Sequence, residues 1–234
     1  MGVFQLLGMP VGCIYHGAMT TELRRDAQDN RRRILAAARE TYAKVGLDAP
    51  MTRIARRAGV GLATLYRRFP TRQHLITEAF ADQQKNCDAA YAAALADPDP
   101  WRALCRLLEV LAAAQVTDKG FGAVLLNSVG SGQMTDAQDA GRRCLQELQV
   151  RAKKAGRLRP DFSLDDVVLL LVGNSAIVAA AGNQAGAASR RFVAHMLQSF
   201  GATAGWPLPP TRLIADQPPD LSVGDVAEVH RARS

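Results

Sequence analysis

The stretch Met51-Thr-Arg-Ile-Ala-Arg-Arg-Ala-Gly-Val-Gly-Leu-Ala-Thr-Leu-Tyr-Arg-Arg-Phe69 decides how this chain folds. Met51, Ile54, Ala55 and Ala58 fall at i, i+3, i+4 and i+7, the spacing of one apolar helical stripe. Gly59-Val60-Gly61 interrupts it. A second short helix is read from about Gly61 to Phe69 and is broken by Pro70. Two short helices joined so tightly must cross at a steep angle. Gly59 takes positive φ without strain, Ala55 is small where the second helix presses on the first, and Val60, Leu65 and Phe69 plug the space between. Leu62, Leu65 and Phe69 share the inner face of the second helix. Ala63, Thr64 and Arg67 share the outer face, flanked by Tyr66 and Arg68. That outer face is slim, polar and basic, as a DNA major groove admits, and its flanks are set to meet phosphates. A plain αα-hairpin with a solvated basic surface has the same spacing, so support must come from the rest of the chain.

Charge supplies some of it. The 234 residues carry a formal net charge of +7. Residues 20–80 hold thirteen Arg and Lys against six Asp and Glu, which equals the whole excess. A basic excess confined to one short block is the electrostatic footprint of a polyanion-binding module.

The remaining signals are helical. Ala, Leu and Arg dominate, alternating Val/Ile/Thr strands are absent, and no internal repeat is visible. A first helix runs from about Asp29 to Val45, with Ile34, Leu35, Ala38, Tyr42 and Val45 as its stripe and Gly46 as its stop. Thr71 caps a long helix continuing toward Asp97. Asp99-Pro100 opens another, with Trp101, Leu104, Leu108 and Leu111 inward. Gly120 to Gly132 is glycine-interrupted, a short helix and a loop. Thr135 opens a further helix, with Gln138 completing a capping-box pattern, a basic last turn and Gly156 as its close. The capping box Ser163-Leu-Asp-Asp166 opens an almost wholly apolar helix to about Gly182. A final helix runs from about Ala187 to Phe200. The chain therefore reads as all-α. Residues 1–25 are a disordered or flexible extension (or, to Met19, lie upstream of the true start). Residues 26–72 are a three-helix helix-turn-helix, 73–204 a larger helical body, and 205–234 a proline-rich tail.

Several function classes drop out. Cys13, Cys87, Cys105 and Cys144 form no C-x-x-C pair and have no zinc spacing, so they read as reduced thiols of a cytoplasmic protein, with no metal. His16, His74, His195 and His230 fall in four separate segments. No P-loop, nucleophile elbow or metal-spaced His pair is present, so neither catalysis nor a cofactor is expected. The apolar run Val167–Val172 is stopped by Gly173, Asn174 and Ser175, short of a membrane span.

The strings Ile54-Ala-x-x-Ala58-Gly-Val60 and Thr64-Leu-Tyr66-Arg-x-Phe69-Pro, followed by Leu75, resemble the signature of TetR-type transcriptional regulators. The resemblance covers about residues 29–80, and Gly156-Arg-Leu-Arg-Pro-Asp161 is a loose further likeness in the body. It implies a homodimer, each head setting its recognition helix into one half-site of a palindromic double-stranded DNA operator. The body would dimerise and enclose a small-molecule effector pocket, giving a repressor released by its effector. The implied DNA contacts are Gly61, Leu62, Ala63 and Thr64 at the start of the recognition helix, Arg67 on its outer face, and Tyr66, Arg68 and Arg72 at phosphates. The likeness departs at Pro50, where a capping Ser or Thr is usual and Thr52 is the substitute, and at Gly61, where a capping Ser is usual. Glycine there costs a few tenths of a kcal/mol.

Within the body, the helix from Ser163 is apolar all round and so is buried on more than one side. Gly173, Ala176 and Ala180, with Phe192, His195 and Met196 of the final helix, are the candidate dimer interface, against a wholly intramolecular core as the alternative. Tyr91, Phe121, Asn127, Met134 and Asn174, polar or aromatic on apolar helices, are the candidate effector contacts.

Overall fold

The computed structural model describes residues 12–130, 136–203 and 208–209. They form ten α-helices and one 3₁₀ turn, divided into two compact units, Met1–Ala79 and Phe80–Ser234.

The first unit holds α1 (Gly12–Val45), α2 (Met51–Ala58), α3 (Leu62–Arg68) and α4 (Arg72–Ala79). Ile34, Leu35, Ala38 and Tyr42 of α1 are buried as the stripe predicts, but Val45 is 42% exposed. Gly46 ends the helix at φ +88°. The helix also begins at Gly12, well before the Asp29 start read from the apolar stripe. Residues 12–25 of the expected extension are thus helical, and residues 1–11 lie outside the described residues. In α2, Met51, Ile54, Ala55 and Ala58 are all buried, so the i, i+3, i+4, i+7 stripe is its core face. Leu65 and Phe69 of the next segment complete that core, joined by Leu75, Ile76 and Ala79 of α4. Complete burial of Ile54 or Leu65 contributes about 1.5–3 kcal/mol each.

The long helix expected from Thr71 is two helices, and Phe80 belongs to neither. Thr71 does cap α4, its hydroxyl accepting from His74 N–H at 3.0 Å. The carbonyl of Ala79 then accepts from Arg39 Nε of α1. Phe80 itself has φ −117° and ψ 19°, outside helical values. Its buried ring packs on Phe121, with centroids 5.8 Å apart, in the core of the second unit. The division between the units therefore falls at 79/80, later than the boundary after residue 72 read from the sequence.

The second unit holds α5 (Ala81–Ala96), α6 (Pro100–Thr117), α7 (Lys119–Gly130), α8 (Asp136–Lys154), α9 (Leu164–Ala180), the 3₁₀ turn Gly182–Gln184 and α10 (Ala185–Phe200). The glycine-interrupted segment is helical through Gly130. Local signals explain the starts and stops. Asp99 Oδ1 accepts from the N–H groups of Trp101 and Arg102, both at 3.0 Å, with Pro100 at the first helical position. Ser163 and Asp166 form the capping box, with Ser163 N–H donating to Asp166 Oδ2 at 2.7 Å. Gly156 closes α8 at φ +65°. Thr135, the expected cap of α8, lies outside the described residues, as does nearly all of the 205–234 tail. Leu208, which is described, donates its N–H to Asp161 Oδ2 at 2.8 Å.

In the core, α5, α6 and α8 pack together, and α6 also packs on α7, α9 and α10. Leu104, Leu107, Leu108 and Leu111 of α6 are fully buried against these neighbours. α9 packs on α6, α7 and α10 yet keeps an outward apolar strip, with Leu169 43% exposed and Ala176, Ala179 and Ala180 exposed. No described helix is long and apolar enough to cross a membrane.

Gly173 is half-buried because Phe192 of α10 lies over it. A Cβ built there would stand 2.8 Å from Phe192 Cζ. Gly173→Ala is therefore expected to lower stability by about 1–3 kcal/mol through overpacking, and Phe192→Leu to return part of that loss in the Gly173→Ala background. Urea unfolding of the four chains checks this, and an unchanged midpoint for Gly173→Ala would contradict the packing.

Candidate nucleic-acid interface

The recognition surface rests on the turn between α2 and α3. Gly59 sits at φ +65°, ψ 37°, where any other residue is strained. Its neighbour Val60 donates back to Ala55 O at 3.1 Å, closing the end of α2. Arg33 of α1 adds the decisive contact. Its Nη2 donates to Ala58 O at 2.7 Å and lies 3.4 Å from Gly59 O. These are carbonyls that a helix end leaves without intrahelical partners, where the dipole favours a cation. A Cβ on Gly59 would meet that Nη2 at 2.6 Å. Glycine is thus favoured twice at this position, by its φ and by the room it leaves the end of the Arg33 side chain. Arg33 is one of the thirteen basic residues between residues 20 and 80. Its role in holding the turn carried no signal in the sequence, since a guanidinium 25 residues upstream shows no pairing pattern.

The expected contact residues fall out as follows. Thr52, Gly61, Ala63, Tyr66 and Arg67 are exposed and Thr64 is half-buried, while Leu65 between them is fully buried. The outer face of α3 is therefore Ala63, Thr64 and Arg67 with Tyr66 beside it, as read. Leu62 leaves the inner face: it is 39% exposed and does not join Leu65 and Phe69 in the plug. It stands at the first helical position, before the helix has turned its inward side to the core. Neither Pro50 nor Gly61 makes a side-chain cap. The caps are made by backbone alone, with Arg53 N–H on Pro50 O and Leu65 N–H on Gly61 O, both at 3.0 Å.

Two arginines are already engaged within the head. Arg68 Nη2 donates to Ala27 O of α1 at 2.7 Å. Arg72 Nη1 donates to Asp48 Oδ1 at 3.2 Å, and its buried Nε has no partner among the described residues. Burial pushes the Tyr42 hydroxyl up to about 12, and the nearby Arg72 charge opposes that shift. Arg67, by contrast, has no hydrogen bond or ion pair among the described residues.

The candidate effector contacts do not converge. Phe121 is buried against Phe80. Tyr91 is half-buried beside Gly141, where a Cβ would stand 2.8 Å from its hydroxyl, and burial raises its pKa. Asn174 is fully buried and donates to Gln115 Oε1 at 2.8 Å and Ala112 O at 3.2 Å, while Gln115 donates to Leu171 O at 3.1 Å. It is a core link between α6 and α9. Asn127 lies in α7 with its side chain outside the described residues, and Met134 lies outside them altogether. Tyr91, Phe121 and Asn174 all lie away from a groove of about 490 Å³ between α6 and α10, bordered by Glu109, Val116, Ser189, Arg190 and Val193. Burial pushes the thiols of Cys87, Cys105 and Cys144 up to about 11, so they are protonated at neutral pH. No group of His, Cys, Asp and Glu among the described residues is placed to hold a metal.

A tight helix-turn-helix with a slim basic outer face is the build of a DNA-binding regulator, and the comparisons with known proteins agree. Residues 34–79 match the bacterial regulatory proteins of the tetR family. Residues 99–198 match the C-terminal domain of SbtR-like transcriptional regulators. The HTH-type transcriptional repressor KstR of Mycolicibacterium smegmatis is 39% identical over 87 residues, covering 36% of this chain and 43% of that protein. The matched stretch thus spans less than half the length of that relative. The TetR transcriptional regulator SCO0520 from Streptomyces coelicolor is 31% identical over 74% of this chain and 99% of its own, with a TM-score of 0.44. A mutant of HlyIIR shares the fold at 16% identity, covering 74% of this chain and 96% of its own, with a TM-score of 0.51. The chain belongs to the tetR family of bacterial regulatory proteins.

The turn generates a sharp expectation. Gly59→Ala should cost about 1–2 kcal/mol from left-handed backbone strain alone, and more with Arg33 present. Arg33→Ala should cost about 1 kcal/mol as a lost cap. In a double-mutant cycle by thermal unfolding, Gly59→Ala should be less harmful in the Arg33→Ala background. Strict additivity would contradict the close approach.

Proposed function

We propose that this chain is a homodimeric repressor that holds a palindromic double-stranded DNA operator and leaves it when a small molecule binds the second unit. The observation that carries the reading is the outer face of α3. Ala63 and Thr64 leave room for a base edge, and Arg67 stands exposed with no partner among the described residues. Bidentate donation from an arginine to guanine is the commonest specific base contact in the major groove. Tyr66, 46% exposed on the flank, is the phosphate contact that fixes register. Thr52, Gly61 and Leu62 border this surface. Arg68 and Arg72 reach phosphate by exchanging the Ala27 carbonyl and Asp48 for it.

Dimerisation is supported by the outward strip of α9. Leu169, Ala176 and Ala180 on α9, with exposed His195 and half-buried Met196 on α10, give a face that a second copy can cover. Gly173 and Phe192 border it, though each is already packed on the other. Two helices from each subunit make a four-helix interface. The effector is the least localised element. The five sequence candidates and the α6–α10 groove are its alternative sites. Release follows if the effector binds better to the state in which the two heads are wrongly spaced. A DNA-binding role places the protein in the cytoplasm, and no step in it calls for catalysis, a metal or a cofactor.

Selection of bound sites from genomic fragments tests the reading. The expected product is a two-fold symmetric sequence with half-sites about one helical turn apart, and recovery of no common sequence would defeat it. On that operator, Arg67→Ala or Thr64→Ala should change the preferred bases, while Tyr66→Phe should weaken all sequences alike. An Arg67→Ala protein with unaltered preference would remove Arg67 from base reading.

A further inference from the structure

The head is cationic, but most of its charge is already committed. Arg31, Arg32, Arg57 and Arg72 pair with Glu78, Asp29, Glu40 and Asp48. Arg33, Arg39 and Arg68 donate to backbone carbonyls. Among the described residues, the side chains of Lys44, Arg53 and Arg56, like that of Arg67, make neither a hydrogen bond nor an ion pair, and the first three stand together. They line one cleft of about 220 Å³ between α1 and α2, together with Thr41, Val45 and Arg57. The Thr41 hydroxyl is spent on Ala37 O at 2.6 Å. Of the four cations in the cleft, only Arg57 has a carboxylate partner among the described residues, Glu40.

Three uncompensated cations around one concavity repel each other and focus a positive field into it. Nothing in the packing of α1 on α2 requires them, because the core face of α2 is Met51, Ile54, Ala55 and Ala58. The cleft has room for a phosphate group. Guanidinium groups offer forked N–H donors that match phosphate oxygens, and the lysine adds a point charge. The first helix of a helix-turn-helix crosses the DNA backbone, and here α2 is that helix.

We propose that the α1–α2 cleft is a binding site for a DNA-backbone phosphate, held by Lys44, Arg53 and Arg56 and separate from the groove-reading face of α3. It rests on the DNA-binding reading above and adds to it a contact that neither the sequence signature nor the recognition helix supplies.

The test is the salt dependence of operator binding by the full chain, read by fluorescence anisotropy. Arg53→Gln/Arg56→Gln should make the slope of log K against log salt shallower by about 1, with the preferred sequence unchanged. Lys44→Gln alone should move the slope the same way by less. Melting temperatures should hold, because all three side chains are exposed and unpartnered. If the double variant loses its fold, Lys44→Gln carries the decision. Unchanged slopes overturn the proposal, and so does an altered base preference, which would make these base contacts. Calorimetric titration with inorganic pyrophosphate separates the other source of phosphate. Pyrophosphate binding that the variants lose, with operator slopes unchanged, would make the cleft a free-anion site and overturn the backbone assignment. A wild-type chain that selects no sequence defeats the DNA-binding reading instead, so the two failures are distinct.

Discussion

Helices of eight and seven residues do not persist alone in water, since nucleation costs more than so few hydrogen bonds return. α2 and α3 exist because Ile54, Ala55, Leu65 and Phe69 are buried, with α2 packed on both α1 and α3, and because the turn between them is pinned. The pin is the guanidinium of Arg33 on the carbonyls at the end of α2, beside a glycine whose backbone angle and missing Cβ suit both the turn and that contact. The presentation of Thr64, Tyr66 and Arg67 follows from that arrangement. An exposed recognition helix so short is positioned by its neighbours and contributes little rigidity of its own.

The same economy governs charge. A polyanion-binding head needs positive potential outside, but its helix ends and carboxylates need partners inside. Arginine serves both uses, because its planar fork caps carbonyls and pairs with carboxylates as readily as it meets phosphate. The structure divides the basic block accordingly. Arg33, Arg39 and Arg68 hold helix to helix, Arg31 and Arg57 bridge elements through Glu78 and Glu40, and Lys44, Arg53, Arg56 and Arg67 remain outward. The net charge announced a polyanion partner, but it could not say which cations face that partner.

Much of the fold was legible because it rests on local rules. The stripe Met51, Ile54, Ala55, Ala58, the stop at Gly59, the cap at Asp99 with Pro100 and the box Ser163–Asp166 all act within a few residues, and each stands where its spacing put it. What stayed hidden depends on partners distant in the chain. The break at Phe80 arises because Ala79 is capped by Arg39 and Phe80 packs on Phe121, neither of which periodicity registers. Leu62 has an apolar side chain on the inner arc of a helical wheel, but its place at the helix start leaves it exposed. Asn174 reads as a polar oddity on an apolar helix and is instead a core amide bound to Gln115. The outer face of α3 was legible because exposed and buried positions of a single short helix are fixed by Leu65 and Phe69 alone.

The proposed repressor requires the outer face of α3 to lie in the major groove. Dimethyl sulfate footprinting on a selected operator measures this directly, because it reports guanine N7 on the major-groove edge. Protected guanines are expected in two major-groove segments about one helical turn apart, each losing its protection when Arg67 is replaced. Tight binding with every guanine N7 still reactive, or protection confined to minor-groove adenine N3, would contradict it.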